Sequence, residues 1–342
     1  MKKINQFFRD NLFYLVIISI FLGFLLGWLF PQVVSSLKAF IVPILFLMIY
    51  VMIVPMEFKE LINVRKYKKE LILGLFAILI LAPLVAYLIN FIFPEKYNFL
   101  KIGLILAATM PPGGMIVSWA GLLDANVELA MLLQTSTFIL AIVTIPLTLS
   151  LILSGSVNYS QSLLIKNILL YIFFPLIVGF ITQIFLKKKH SKEKIKSWKP
   201  TMATISGICA LLVIFISVSI KTETIINYPQ IVFWGLLLAI LYYLSMFVIS
   251  LFFSGLFINS YDNQMPVVYG TTSKNLSIGI ALALSAFPSP VVLGVIFCFM
   301  AQMPMLSFFY KYIRKEEQEY NKKIHTLSLI LKKIRKLNEI KI

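Results

Sequence analysis

Charged residues are scarce in this chain, and acidic residues are the scarcest. Only 13% of its 342 residues are charged, and 14 aspartates and glutamates stand against 31 lysines and arginines. A soluble domain carries about 25% charged residues, so this composition excludes a soluble globular fold. The chain is 60% hydrophobic with a mean hydropathy of +0.92, which is typical of a polytopic membrane protein.

Cysteine and histidine are nearly absent, with two residues of each type. Cys209 and Cys298 lie in separate apolar segments, and His190 and His325 lie in basic segments. A disulfide framework is therefore not expected, and no histidine is available at membrane depth for acid–base or metal chemistry. We predict no catalytic residue, no cofactor and no metal site. An intramembrane enzyme and a channel are distant alternatives.

Ten apolar runs are long enough to cross a bilayer. They lie near 12–30, 36–56, 71–93, 101–123, 128–153, 163–186, 202–220, 230–258, 264–286 and 290–310. If they alternate across the membrane, 25 of the 31 lysines and arginines fall on one side. The positive-inside rule then predicts that both termini lie on the cytoplasmic side, and we expect the membrane to be the plasma membrane. The net charge of +17 therefore reflects orientation and attraction to membrane lipids, and nucleic acid is not an expected partner.

The predicted spans divide the chain into two halves of five. Residues 1–11 form a cytoplasmic N-terminus, 12–156 the first half and 157–312 the second half, which contains a basic cytoplasmic loop at 187–199. Because five is an odd number, the second half is expected to be inverted in the membrane. Residues 313–342 predict a basic amphipathic helix on the cytoplasmic surface, with a solvated tail as the alternative.

Two predicted helix breaks occupy matching positions in the two halves. With an offset of 161 residues, "TMPPGGMIV" (109–117) aligns with "GTTSKNLSI" (270–278) without a gap. In the first window, the prolines lack backbone N–H groups and the glycines make the helix more flexible. The second window is polar, and its residues weaken a helix. Inverted repeats with discontinuous helices at matching positions are typical of secondary transporters.

Lys274 lies near the middle of the predicted span 264–286. It is about eleven residues, or ~16 Å, from either end, which is too far to reach an interface. A charge at that depth costs at least ~2.5 kcal/mol, which suggests a functional role. An ammonium beside two half-helix N-termini creates a positive site that suits a small anionic substrate. Two alternatives do not involve a binding site. The segment 111–114 could be a simple helix kink, and the hydroxyl groups of the second break could serve only to pack helices together.

The candidate binding residues lie in the two breaks, except for Gln134, which lies in the fifth predicted span. They are Pro112, Gly113, Gly114, Gln134, Thr271, Thr272, Ser273, Lys274 and Asn275. Asp124 and Glu128 are candidate counter-charges, and the alternative is that they only solvate a short inner loop. Gln134 and Gln302 could either line a pathway or cross-link helices.

From about residue 12 to 312 the sequence resembles the bile acid/sodium symporters and the related arsenical-resistance carriers. The resemblance rests on Pro112 to Gly114, on Asn275 and on "FPSPVVLGV" (287–295). It implies an all-α fold of ten transmembrane helices in two inverted five-helix repeats. Discontinuous helices four and nine would cross in a core domain beside a panel domain. It also implies a binding role for Ser118, which follows the Pro-Gly-Gly turn.

The chain departs from that family pattern at its ion-binding positions. Gly270 replaces an acidic sodium ligand, and Lys274 replaces the glutamine four residues later. We therefore expect a carrier of a small organic anion in which Lys274 takes the place of the coupling sodium ion. A proton is the alternative coupling ion, because a buried lysine can exchange one. Efflux of arsenite or a metalloid oxyanion is the alternative function, although Pro111-Pro112 replaces that branch's Arg-Cys pair and its thiolate.

Overall fold

The computed structural model describes residues 2–55, 65–153, 161–288 and 290–339, and every regular element in these ranges is a helix. Six helices are long and apolar enough to cross a membrane: Pro31–Ile53, Lys68–Asn90, Val127–Leu153, Pro200–Asn227, Gln230–Phe257 and Val291–Lys315. An all-helical polytopic fold is thus confirmed. The ten-span inverted repeat stays a prediction, and its boundary at 156–157 and Ser289 lie outside the described residues.

Seventeen α-helices follow one another along the described chain. They are α1 (Lys2–Asp10), α2 (Leu12–Leu29), α3 (Pro31–Leu37), α4 (Ile41–Ile53), α5 (Lys68–Phe76), α6 (Ala82–Asn90), α7 (Asn98–Thr109), α8 (Met115–Leu122), α9 (Val127–Leu153), α10 (Gln161–Ile168), α11 (Phe174–Lys189), α12 (Lys192–Ser197), α13 (Lys199–Asn227), α14 (Gln230–Phe257), α15 (Tyr261–Thr272), α16 (Leu276–Ala286) and α17 (Val291–Glu339). Two π-helices join neighbouring α-helices without a turn: Ala77–Leu81 between α5 and α6, and Leu169–Phe173 between α10 and α11.

The helices pack in two groups. In the first group, α13 packs against α2 and α4, and α11 packs against α4. In the second group, α5 to α9 pack with α14, α15 and α17. Helix α16 packs on α7 and α17 of the second group and also touches α4, α10 and α13. It therefore lies where the two groups meet.

Both predicted helix breaks are present. Helix α7 ends at Thr109 and α8 begins at Met115, while α15 ends at Thr272 and α16 begins at Leu276. The consecutive prolines at 111–112 lack N–H groups, so the hydrogen-bond ladder cannot continue through the first break.

The predicted tail helix is not a separate element. Helix α17 continues from Val291 to Glu339, so residues 313–339 prolong the last candidate span. A position on the cytoplasmic surface stays a prediction.

Candidate functional site

The two helix breaks meet in a short antiparallel bridge between Pro112 and Lys274, and we call this contact the crossing. Two backbone hydrogen bonds flank this pair, from the Gly113 N–H to the Ser273 carbonyl (2.9 Å) and from the Asn275 N–H to the Pro111 carbonyl (2.8 Å). Residues opposite each other in such a pair exchange no hydrogen bond themselves. The missing N–H of Pro112 therefore costs no bond, and the proline fits the crossing.

Gln302 of α17 binds the backbone of Lys274 at this crossing. The Lys274 N–H donates to Oε1 of Gln302 (3.0 Å), and Nε2 of Gln302 donates to the Lys274 carbonyl (3.1 Å). The Tyr243 hydroxyl of α14 also donates to Oε1, at 3.1 Å. Of the two roles left open for Gln302, these contacts favour the cross-link between helices.

The Lys274 side chain is sealed inside the second group of helices. Only 1% of its surface is exposed, and its Nζ donates to the backbone carbonyl of Ile78 at 3.0 Å. Ile78 lies in the first π-helix and is itself buried. Among the described residues, Lys274 belongs to none of the ion pairs. In the described part of the chain, its amine is thus bonded to a backbone carbonyl and not to a carboxylate.

The position four residues before Lys274 has apolar surroundings. A Cβ placed on Gly270 would lie 2.8 Å from Cδ1 of Ile78 and 3.1 Å from Cδ1 of Ile116. A carboxylate at this position would therefore have to displace two isoleucine side chains.

The hydroxyl groups of the second break are used unequally. Oγ1 of Thr271 and Oγ1 of Thr272 both donate to the Val268 carbonyl, at 2.7 and 3.0 Å. Both predicted ligands are thus bonded within their own helix. The Ser273 hydroxyl is also buried, but it has no hydrogen-bond partner among the described residues.

On its other side the crossing opens to the surface. Gly114 is exposed, as is Ser118 one turn later on α8. A Cβ on Gly114 would lie 3.7 Å from Nε2 of Gln134 and 3.9 Å from Sδ of Met52, and Nδ2 of Asn275 is 4.0 Å from the same sulfur. The structure thus brings Gly114, Gln134 and Asn275 together at a methionine of the first group. We name this set, with Ser118, the open side of the crossing; Gly114 and Ser118 are exposed there, whereas Gln134 and Asn275 are buried.

Several backbone N–H groups at the two breaks that could donate to an anion already donate to the protein. The Gly113 and Asn275 N–H groups hold the crossing, the Ile116 N–H donates to Gly113, and the Leu276 N–H donates to Lys274. The N-termini of α8 and α16 therefore offer fewer unbonded amides than a simple break would.

Asp124 and Glu128 have basic partners other than Lys274. Asp124 pairs with Arg314 (2.7 Å), and Glu128 pairs with Lys66 (3.2 Å) and accepts from the Tyr67 hydroxyl (2.8 Å). The hydrogen bonds with Tyr67 and Glu128 raise the pKa of Lys66 above its ordinary value. The role of either carboxylate as counter-charge to Lys274 stays a prediction without a supporting contact.

Sequence reasoning missed Gln302 as a backbone clamp, and it missed Ile78 and Met52. Ile78 contributes a main-chain oxygen, which has no signature in the side-chain sequence. Met52 is one apolar residue among many in α4.

A model of the Sodium Bile acid symporter family matches residues 42–228. The "Uncharacterized sodium-dependent transporter YocS" of Bacillus subtilis is 26% identical over 297 residues, which are 85% of this chain and 88% of that protein. The "Uncharacterized protein YbaS" of the same organism is 23% identical over 249 residues, or 70% and 79% of the two chains. The "Uncharacterized transporter slr0944" of Synechocystis is 22% identical over 305 residues, or 80% and 79%.

Proposed function

Because the chain belongs to the Sodium Bile acid symporter family, we propose that this membrane transporter carries a small organic anion by alternating access and does so without sodium. The observation that carries the proposal is Lys274, whose ammonium is buried at the crossing of two broken helices and bonded to a main-chain carbonyl.

A sodium ion and the Lys274 ammonium would compete for the same environment. Backbone carbonyls are hard oxygen ligands suited to either cation, and the Ile78 carbonyl is 3.0 Å from Nζ. Two unit positive charges about 4 Å apart repel by about 4 kcal/mol at an effective dielectric constant of 20. Gly270 itself brings no carboxylate that could balance a second cation, and the side chains nearest to it are those of two isoleucines. In this proposal the charged lysine therefore supplies the positive charge in place of the ion.

An anion would bind on the open side of the crossing. The N-termini of α8 and α16 direct positive partial charge toward it, and the amides of Gln134 and Asn275 can donate hydrogen bonds. Met52 and α16 put this surface at the boundary between the two helix groups. Movement of one group against the other would then expose the bound anion to each side of the membrane in turn.

Uptake by the purified protein in proteoliposomes tests this function. Labelled carboxylates and sulfonates would first be selected by their effect on thermal unfolding, with and without sodium. We expect uptake that an imposed sodium gradient does not change, and at least tenfold slower uptake by K274Q. A pH gradient in place of the sodium gradient tests coupling to protons.

The matched control is K101Q. Lys101 is also buried, but its amine pairs with Glu95 away from the crossing. Transport by K274Q at the wild-type rate, or wild-type uptake that requires sodium, would refute the proposal.

A further inference from the structure

The Ile78 carbonyl, which accepts the hydrogen bond from Lys274, is left without a donor by the π-helical register of its own helix. In the π-helix Ala77–Leu81, the Ala82 N–H donates to Ala77, five residues earlier. In an α-helix the Ala82 N–H would instead donate to the Ile78 carbonyl, four residues earlier. The donor in the π register would be residue 83, and this residue is a proline without an N–H group.

An unbonded carbonyl at this place would be costly. Ile78 and Ala82 are fully buried, and Pro83 is buried as well. Buried backbone oxygens are almost always hydrogen-bonded, because water cannot replace a missing partner. Nζ of Lys274 supplies the donor, and the carbonyl in turn supplies the acceptor that a buried amine needs. The π-helix and the proline thus leave one buried acceptor without a donor, and the lysine supplies that donor.

We propose that Pro83 is a positioning residue: it keeps the Ile78 carbonyl free of intrahelical donors and so fixes the Lys274 amine at the crossing. This inference rests on the proposed function in that Lys274 is the group which stands in place of sodium. Pro83 itself acts only through Ile78 and Lys274.

The second π-helix provides a natural control. Leu169–Phe173 is followed by Phe174, whose N–H donates to Leu169, and then by Pro175. The local arrangement is the same, but Leu170, which corresponds to Ile78, is 44% exposed. Replacing Pro175 therefore changes the same backbone chemistry away from a buried lysine.

Thermal unfolding in detergent tests the proposal through P83A and P175A, each made with and without K274M. P83A introduces an N–H that can bond to Ile78 and displace the lysine. We expect P83A to lower the unfolding midpoint when Lys274 is present, and to leave it unchanged or raise it in the K274M background. P175A should shift the midpoint equally in both backgrounds. An equal shift by P83A in both backgrounds overturns the proposal.

A backbone ester separates the missing N–H from the rigid ring. Lactic acid introduced at position 83 by nonsense suppression removes the ring without adding a donor. K274M should then lower the midpoint as much as it does in the protein with Pro83. A smaller loss shows that the ring, not the absent donor, is what matters, and overturns the proposal. This comparison remains decisive if P83A does not fold.

Transport separates this inference from the proposed function. P83A should slow sodium-independent uptake and change its pH dependence, while P175A should leave the pH dependence unchanged. Coupling between positions 83 and 274 combined with sodium-dependent uptake would refute the proposed function and leave the positioning role intact. Sodium-independent uptake without that coupling would refute the positioning role alone.

Discussion

The side-chain amide of Gln302 bonds both backbone polar groups of Lys274, at 3.0 and 3.1 Å. Lys274 and Pro112 face each other without a hydrogen bond between them. The amide of Gln302 therefore binds the Lys274 backbone where a neighbouring strand would bind it. The lysine backbone is thereby fixed, and its side chain extends to the Ile78 carbonyl on the first π-helix. Three separate segments of the second helix group thus determine where one amine lies.

Loss of the Gln302 clamp should strongly destabilise the protein. Q302L would leave the N–H and carbonyl of Lys274 without that partner in a buried place, at about 1–3 kcal/mol for each group. We expect a total loss of about 2–6 kcal/mol in the free energy of unfolding, measured by denaturant titration in detergent. A loss under about 0.5 kcal/mol for Q302L would show that the clamp does not stabilise the crossing.

Two adjacent tyrosines should respond differently to removal of their hydroxyls. The Tyr243 hydroxyl bonds Gln302, whereas the buried Tyr242 hydroxyl has no partner among the described residues. Y243F should cost about 1 kcal/mol, and Y242F should be neutral or stabilising, because an unbonded buried hydroxyl carries a desolvation cost. Thermal unfolding of the two variants side by side checks this order. The reverse order would contradict the assigned hydrogen bond.

Close approach of α7 and α17 should make Gly103 intolerant of any side chain. A Cβ on Gly103 would lie 2.5 Å from the Val291 carbonyl oxygen and 2.7 Å from Cα of Gly294, both of which are backbone atoms. G103A should therefore cost about 3 kcal/mol by overpacking. G255A is the control, because a Cβ there meets nothing within 4 Å and alanine favours a helix. Similar unfolding midpoints for the two variants would rule out tight helix packing at Gly103.

The sequence sufficed to predict the helix breaks, because proline and glycine act on the backbone where they stand. It also placed Lys274 far from both ends of an apolar run, and the structure buries this residue; its depth in the membrane stays a prediction. The partners of the lysine were not predictable in this way. Ile78 and Gln302 are separated from Lys274 by 196 and 28 positions, and only the folded chain brings them together. A hydrogen bond to a carbonyl leaves no pattern in the residue types.

Local bonding also decided which predicted ligands are available. Thr271, Thr272 and Ser273 look alike as polar residues in an apolar span, yet only the Ser273 hydroxyl is without a partner in the described part of the chain. The difference arises because the two threonines lie three and four residues after Val268 in α15, within reach of its carbonyl. Ser273 lies just past the end of that helix.

Restoring a carboxylate beside the crossing should make transport depend on sodium. The variant G270E/K274Q removes the fixed cation and adds an acid, and I78A makes room by removing the side chain nearest to Gly270. Without its internal positive charge, the site should take a sodium ion to balance the carboxylate. We expect uptake by the triple variant to rise at least fivefold in a sodium gradient, while G270A/K274Q/I78A, which lacks the acid, should show no such rise. Equal sodium responses in the two variants would mean that the cation near Ile78 is not what replaces the coupling ion.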